Sequence, residues 1–212
     1  MLALTFSTGI VDAIGYLALD RVFTGNMTGN VVILGMAMTG STDLPVLGPL
    51  VALVMFVFGA MAAGRRLRAS PDGWTSATTV IFAGVAVCLA LEGLLFLVFG
   101  AADFPYKTEA AAAVLGFAMG AQAAAARKVK VADVTTVVVT STLTALAAES
   151  RFGANAGQPW IRRILAVALI LLGALVGAAL LMVGTWLPFA LSAAITTAAL
   201  VWGHRRMRKE RL

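Results

Sequence analysis

Charged side chains are scarce in this chain of 212 residues, where 12% are Asp, Glu, Lys or Arg and 60% are hydrophobic. Such a composition excludes an ordinary soluble domain and indicates an integral membrane protein. One cysteine, Cys88, and one histidine, His204, leave no disulfide framework, no metal cluster and no convincing nucleophile and base pair. We therefore expect neither an enzyme nor a bound cofactor.

The apolar runs divide the chain into two halves with the same order of segments. In each half, the second segment is the polar, interrupted one. The first half, residues 1–104, contains a helix at 2–19, an interrupted segment at 22–40, and helices at 46–64 and 74–100. The second half, residues 105–212, contains a helix at 108–126, an interrupted segment at 131–149, and helices at 160–184 and 186–203.

The interrupted segment of the first half begins with the most polar stretch of the chain. Residues 23–30 read Phe-Thr-Gly-Asn-Met-Thr-Gly-Asn, a composition that gains little from a helix. The apolar residues Val31 to Met38 then predict a half-helix with Thr28 or Asn30 as its N-cap. In the second half, nine of the twelve residues in 133–144 are β-branched. They favour extended backbone, followed by a short helix from Leu143 to Glu149 capped by Ser141 or Thr142.

Basic residues predict which segments cross the membrane. If all eight segments cross and the C-terminal tail is cytoplasmic, nine of the sixteen Lys and Arg lie inside. If the interrupted segments enter and return on the same side, fourteen lie inside, and only Arg21 and Lys107 lie outside. We therefore predict an all-α multi-pass protein with six transmembrane helices and two re-entrant strand and half-helix segments. The halves are then inverted repeats, and both termini are cytoplasmic.

Two half-helices that enter from opposite faces would point their N-termini at each other near the midplane. Each N-terminus carries roughly half a positive charge, and non-helical backbone at this depth must be surrounded by protein or line a cavity. The expected binding site for a small anion or polar solute comprises Asn26, Thr28, Gly29, Asn30, Thr140, Ser141 and Thr142. The alternative is that these groups only satisfy backbone hydrogen bonds in interrupted helices.

Two acidic residues lie within apolar segments, Asp12 and Glu92. An intramembrane carboxylate is costly, so both are candidates for proton coupling. For Asp12, the alternatives are a structural hydrogen bond to Thr28 or Tyr16, or burial in the protonated form. Gln122 is predicted to take the place of Asp12 in the second half, where it cannot titrate, with Tyr16 as a supporting residue.

Several of these stretches resemble a known family. Residues 9–17, Gly-Ile-Val-Asp-Ala-Ile-Gly-Tyr-Leu, followed by Asn-Met-Thr-Gly-Asn at 26–30, are similar to the signature of the YoaK-like membrane proteins, DUF1275. Residues 133–136, 140–144 and 146–150 of the second half support the resemblance. It implies a multi-pass protein of the bacterial inner membrane. Many relatives carry a Thr-Gly pair in the second half, where this chain has Thr140-Ser141.

These patterns favour a small secondary transporter or permease, with Asp12 as its protonatable group. Re-entrant pairs that meet at a midplane are also similar in architecture to those of nucleobase and sulfate permeases. The alternatives are a passive channel along the same axis and a non-transporting scaffold with a dry centre. The expected partners are membrane lipid and a small solute, with a homodimer plausible and no nucleic acid, because orientation in the bilayer explains the basic excess first.

Overall fold

The computed structural model describes residues 1–40, 43–100, 105–129, 139–150, 153–157 and 159–209, and within them the regular structure is entirely helical. Eight helices follow one another along the chain. They are α1 (Leu2–Ala18), α2 (Met27–Ala37), α3 (Leu47–Leu67), α4 (Ser76–Phe99), α5 (Lys107–Val129), α6 (Val139–Ala148), α7 (Trp160–Val183) and α8 (Leu187–Lys209).

Five of these helices, α3, α4, α5, α7 and α8, are long and apolar enough to cross a membrane. At 17 residues, α1 is slightly shorter and measures about 25 Å at 1.5 Å per residue. The half-helices α2 and α6 have 11 and 10 residues, too few for a full crossing. The described residues therefore form a bundle of long apolar helices that also holds two short ones.

Helices of the first half pack mainly on helices of the second half. Helix α1 packs along α7 and α8, while α5 packs along α3 and α4. Helices α4 and α8 pack on each other, and each half-helix packs on the long helix that follows it, α2 on α3 and α6 on α7. If each helix is exchanged for its counterpart in the other half, this pattern of neighbours is unchanged.

Glycines allow the closest of these helix pairs to meet. A Cβ atom at Gly9 would collide with the Ile170 carbonyl oxygen, and one at Gly173 with that of Phe6. The other pair repeats this reciprocal contact, because Gly120 faces the Phe56 carbonyl and Gly59 that of Phe117. The second crossing thus follows the same plan as the first. Gly9 and Gly120 each come three residues after a phenylalanine, Phe6 or Phe117.

The same contacts give the relative directions of the helices. Along α1 and α7, Phe6 meets Gly173 and Ile10 meets Gly177, so these helices run parallel. Along α3 and α5, Ala52 meets Gly116 and Phe56 meets Gly120, so they are also parallel. Helix α4 runs antiparallel to α8. Its Phe96 stacks on Phe189 at 5.1 Å near one end, and Thr79 lies 3.4 Å from the His204 ring near the other.

The charges collect at one end of the bundle because of these directions. Of the thirteen Lys and Arg in the described residues, only Arg21 and Lys107 lie at the other end. The eleven at the basic end are Arg65, Arg66, Arg68, Arg127, Lys128, Arg162, Arg163, Arg205, Arg206, Arg208 and Lys209. We call this the basic end of the bundle.

Several predicted helix starts and ends were wrong. Helix α2 begins at Met27, not Val31, and its N-cap is Asn26 rather than Thr28 or Asn30. Helix α6 already includes Val139, four residues before the predicted start at Leu143. Helix α8 continues through the basic tail to Lys209, because its charged side chains lie beyond the apolar stretch and do not oppose helix formation. The extended segment predicted before α6 covers residues outside the described ranges, and no strand is found at 22–26.

Candidate functional site

Asp12 holds the loop that precedes α2. Its Oδ1 accepts hydrogen bonds from the main-chain N–H groups of Thr24, at 3.1 Å, and Gly25, at 2.7 Å. Gly25 lies so close to Thr8 and the Asp12 carboxylate that a Cβ atom would crowd both. The structural hydrogen bond predicted to Thr28 or Tyr16 is therefore replaced by bonds to the loop backbone.

A tight turn after α1 makes this contact possible. Asp20 and Arg21 both adopt left-handed φ angles, 56° and 60°, and the chain turns back along α1. The Val22 N–H then donates to the Gly15 carbonyl at 3.0 Å. Since a Cβ atom on Gly15 would collide with the Val22 carbonyl, glycine is required at this close approach. The turn places residues 22–26 against the middle of α1.

Asn30 fastens the start of α2 to the same loop. Its Oδ1 accepts the Phe23 N–H at 2.8 Å, and its Nδ2 donates to the Phe23 carbonyl at 2.5 Å. The side chain is completely buried. The Asn30 amide thus provides hydrogen-bond partners for the N–H and the carbonyl of Phe23, which lie outside any helix or sheet.

Asn26 and an aromatic pair complete the entrance to α2. Asn26 is exposed, and its side chain accepts from the Gly29 N–H at 3.4 Å as the N-cap. Gly29 lies directly against the Phe23 ring, with no space for a side chain. Phe23 in turn packs on Tyr16 with ring centroids 5.2 Å apart. The N-terminus of α2 therefore opens beside an aromatic wall.

A cavity of about 600 Å³ lies in front of this N-terminus. Its polar lining comes from α1, the loop, α2 and the first turn of α6. Those residues are Thr8, Asp12, Tyr16, Arg21, Gly25, Asn26, Thr28, Gly29 and Thr140. The apolar lining comes from Phe23, Val32, Ile33, Met36, Leu44, Val139 and Ile170. The starts of both half-helices thus face one space together with the Asp12 carboxylate.

Not all of the predicted site residues reach this cavity. Asn30 lies behind the loop it fastens, while Ser141 and Thr142, one turn into α6, are not among the lining residues. Glu92 is buried in α4 and likewise does not line the cavity. The cavity is lined by six of the residues predicted for the site. They are Asp12, Tyr16, Asn26, Thr28, Gly29 and Thr140.

Gln122 reaches the site only indirectly. Its Nε2 donates to the Thr8 hydroxyl at 3.3 Å, and its buried Oε1 has no hydrogen-bond partner among the described residues. If Phe6-x-x-Gly9 is aligned with Phe117-x-x-Gly120, the residue of the second half that corresponds to Asp12 is Ala123, not Gln122. One residue changes the direction of a helical side chain by about 100°. The structure therefore does not give Gln122 the place of Asp12.

The sequence prediction missed Thr8, Arg21 and Phe23. Thr8 precedes Asp12 by four residues, so the helical period could have placed it on the same face. Arg21 carried no such signal, because its position depends on the left-handed turn at the end of α1. Within the described residues, no group of three or more His, Cys, Asp or Glu is placed to hold a metal ion.

Comparison with known proteins identifies the family. The model of the family described as "Protein of unknown function (DUF1275)" matches residues 1–202. The chain belongs to the DUF1275 family. It is also 38% identical over 148 residues to the UPF0700 transmembrane protein YoaK of Bacillus subtilis (strain 168). The aligned residues make up 68% of this chain. The match spans 62% of the YoaK sequence, less than two thirds of its length.

Family membership and the long apolar helices together confirm the broad prediction of a multi-pass membrane protein. The relative is itself a transmembrane protein by name. No solved structure matches this DUF1275 chain.

Proposed function

We propose that this protein is a small secondary transporter, with its binding site in the cavity between the N-termini of α2 and α6. The observation that carries the proposal is that the starts of both half-helices and the Asp12 carboxylate line the same space. Discontinuous helices that meet at a central site are the structural basis of many secondary transporters. A scaffold would instead have a dry centre with its polar groups paired among themselves, whereas Asp12, Thr28 and Thr140 line a cavity of about 600 Å³.

The helix directions support six crossings with two re-entrant segments. Helices α1 and α7 are parallel only if α2 and α6 both cross the membrane or both return to the side from which they entered, because each crossing reverses the direction of the chain. If both crossed, α4 and α8 would run parallel, yet the Phe96 to Phe189 contact belongs to an antiparallel pair. Two re-entrant half-helices give every direction that the glycine and aromatic contacts indicate.

The repeated crossings support an inverted repeat. With three crossings in each half, the second half begins on the opposite side of the membrane. The exchangeable helix neighbours and the duplicated glycine crossings, Gly9 on Ile170 and Gly120 on Phe56, fit two copies of one unit. The α2 and α6 N-termini then approach one cavity from opposite faces, as discontinuous helices do in many transporters built from inverted repeats.

The distribution of charge supports the orientation. Eleven of the thirteen Lys and Arg in the described residues lie at the end that holds the start of α1 and the end of α8. The positive-inside rule assigns that end to the cytoplasm, so both chain ends are cytoplasmic and the cavity opens near the other face. In a bacterium this is the inner membrane.

The contacts of Asp12 favour a polar solute over a free anion as the substrate. The N–H groups of Thr24 and Gly25, which an anion would use, already bind the carboxylate. The hydroxyls of Thr28 and Thr140 and the Tyr16 and Phe23 rings suit a small molecule with both hydrogen-bonding groups and a flat or apolar face. Asp12 is the group that would exchange a proton with each transport cycle.

Proteoliposomes test the proposal directly. Purified protein is reconstituted, and uptake of radiolabelled glycine, urea, uracil and formate is measured with and without an imposed inward proton gradient. We expect at least one neutral solute to accumulate above its external concentration only when the gradient is present. Uptake that equilibrates but ignores the gradient would indicate the channel. If no solute enters faster than into protein-free liposomes, the proposed transport function is wrong.

A further inference from the structure

A second cavity lies at the basic end of the bundle, away from the proposed transport site. It measures about 840 Å³ and is bordered by the start of α1, the end of α5, the start of α7 and the last turns of α8. Most of its wall is apolar, with Leu2 on one side and Ala198 and Ala199 on the other. We call this cavity the basic-end groove.

Two arginines and two tryptophans border the groove. Arg162 comes from the first turn of α7 and Arg206 from the last turns of α8, and no Asp or Glu lines the groove in the described residues. The Arg206 guanidinium lies over the Trp202 ring, 5.6 Å from its centroid. The groove therefore combines a cationic rim with an apolar wall.

The tryptophans mark the depth of the groove in the membrane. Trp74 precedes α4, donates from Nε1 to the Thr79 hydroxyl at 2.9 Å, and stacks on Phe82. Trp202 is 63% exposed. Tryptophan side chains with a polar tip and an apolar body concentrate at the boundary between headgroups and hydrocarbon. The rim of the groove then lies at headgroup level, and its wall lies beside the acyl chains.

We propose that the basic-end groove binds an anionic phospholipid. The headgroup phosphate lies near Arg162 and Arg206, and an acyl chain follows the apolar wall past Leu2 and Ala198. Charge complementarity determines the occupant, because anionic lipids are abundant where Lys and Arg collect, and basic pockets between membrane helices bind their headgroups. The groove shares no lining residue with the transport cavity, so this inference does not depend on the proposed transport function.

The experiment measures lipid binding by the full-length protein in detergent, by native mass spectrometry. The probes are phosphatidylglycerol and phosphatidylcholine with identical acyl chains. We expect retention of phosphatidylglycerol and weak retention of phosphatidylcholine. The double variant Arg162→Ala, Arg206→Ala should lower affinity for phosphatidylglycerol about 30-fold, since each basic group near an anionic surface contributes about a factor of five.

Matched variants separate a site from diffuse attraction. Arg65→Ala, Arg208→Ala removes the same charge from the basic end without touching the groove and should retain the lipid. Ala198→Trp keeps the charge, fills the apolar wall and should also lower binding. Equal losses in both double variants, or equal binding of both lipids, would overturn the proposal. Competition by soluble glycerol phosphate at millimolar concentration would do so too, because it would make this a site for free phosphate.

Discussion

At the scale of single residues, Asp12 has two separable roles. Its Oδ1 holds the loop through Thr24 and Gly25, and its carboxyl group lines the cavity. An asparagine keeps the acceptor oxygen but cannot release a proton. We expect Asp12→Asn to fold with a thermal midpoint close to that of the unmodified protein and to lose gradient-driven solute accumulation. Uptake in proteoliposomes and unfolding in detergent together check both halves of this prediction.

Asp20→Asn is the matched control for that variant. Asp20 lies at the end of the same helix, is exposed, and has a left-handed φ of 56° that asparagine also tolerates. The control should accumulate solute normally. If Asp12→Asn also accumulates solute against its gradient, Asp12 is a structural residue and some other group carries the proton.

Asn30 is a residue whose contribution to stability should be large. Asn30→Ala leaves the N–H and the carbonyl of Phe23 without partners, and each buried unpaired group costs about 1–3 kcal/mol. We expect the free energy of unfolding to fall by about 2–4 kcal/mol, measured by denaturation in mixed micelles. Asn26→Ala removes one exposed cap and should cost only about 1 kcal/mol. Equal losses would contradict the structural role of Asn30.

The residues of the site differ in how far sequence could predict them. The concentration of Asn, Thr and Gly before Val31 was visible, and so was a carboxylate inside an apolar helix. The sequence did not show which of these groups face the cavity. Asn30 bonds to Phe23, seven residues earlier, because the loop between them and α1 is bent at Asp20 and Arg21. Contacts that depend on a turn of this kind carry no periodic signal.

At the scale of helices, the glycine crossings are the most demanding contacts. Gly120 lies against the Phe56 carbonyl, so Gly120→Ala must separate α3 from α5 or distort one of them. Overpacking of this kind costs about 1–3 kcal/mol. We expect a correspondingly lower unfolding free energy in detergent. Gly84→Ala, in α4 with open space around it, should be neutral or stabilising by up to about 1 kcal/mol.

The helices themselves could be predicted well and their starts less well. Long apolar runs gave the positions of the spans, because a helix is the only way such a run satisfies its backbone in lipid. The half-helices started earlier than expected, at Met27 and no later than Val139. Local propensity had argued against helix there, but the first turn of α2 gains a cap from Asn26 and packing of Gly29 on Phe23.

At the scale of the whole molecule, the sequence carried a repeat of segment order with weak identity between the halves. The two reciprocal glycine crossings and the exchangeable helix neighbours are what two copies of one unit would produce, and they support the proposed repeat. Each half buries its long helices mainly against the other half, so neither is expected to form a stable bundle alone. This arrangement also explains how two residues that are 112 positions apart, Thr28 and Thr140, can line one cavity.

Topology is the prediction on which the whole arrangement depends. In a Cys88→Ala background, single cysteines replace Gly40, Ser70 or Tyr106, all in connections between helices. With six crossings, the cysteines at 40 and 106 should react with a membrane-impermeant maleimide added to intact cells, and the one at 70 should react only after lysis. Eight crossings predict the reverse at all three positions. A fourth single cysteine at Asp20 separates eight crossings from six crossings of the opposite orientation, because a re-entrant α2 leaves positions 20 and 40 on the same side and a crossing α2 leaves them on opposite sides. Labelling at 20 and 70 together with protection at 40 and 106 would therefore rule out the re-entrant half-helices, and with them the proposed approach of α2 and α6 to the cavity from opposite faces.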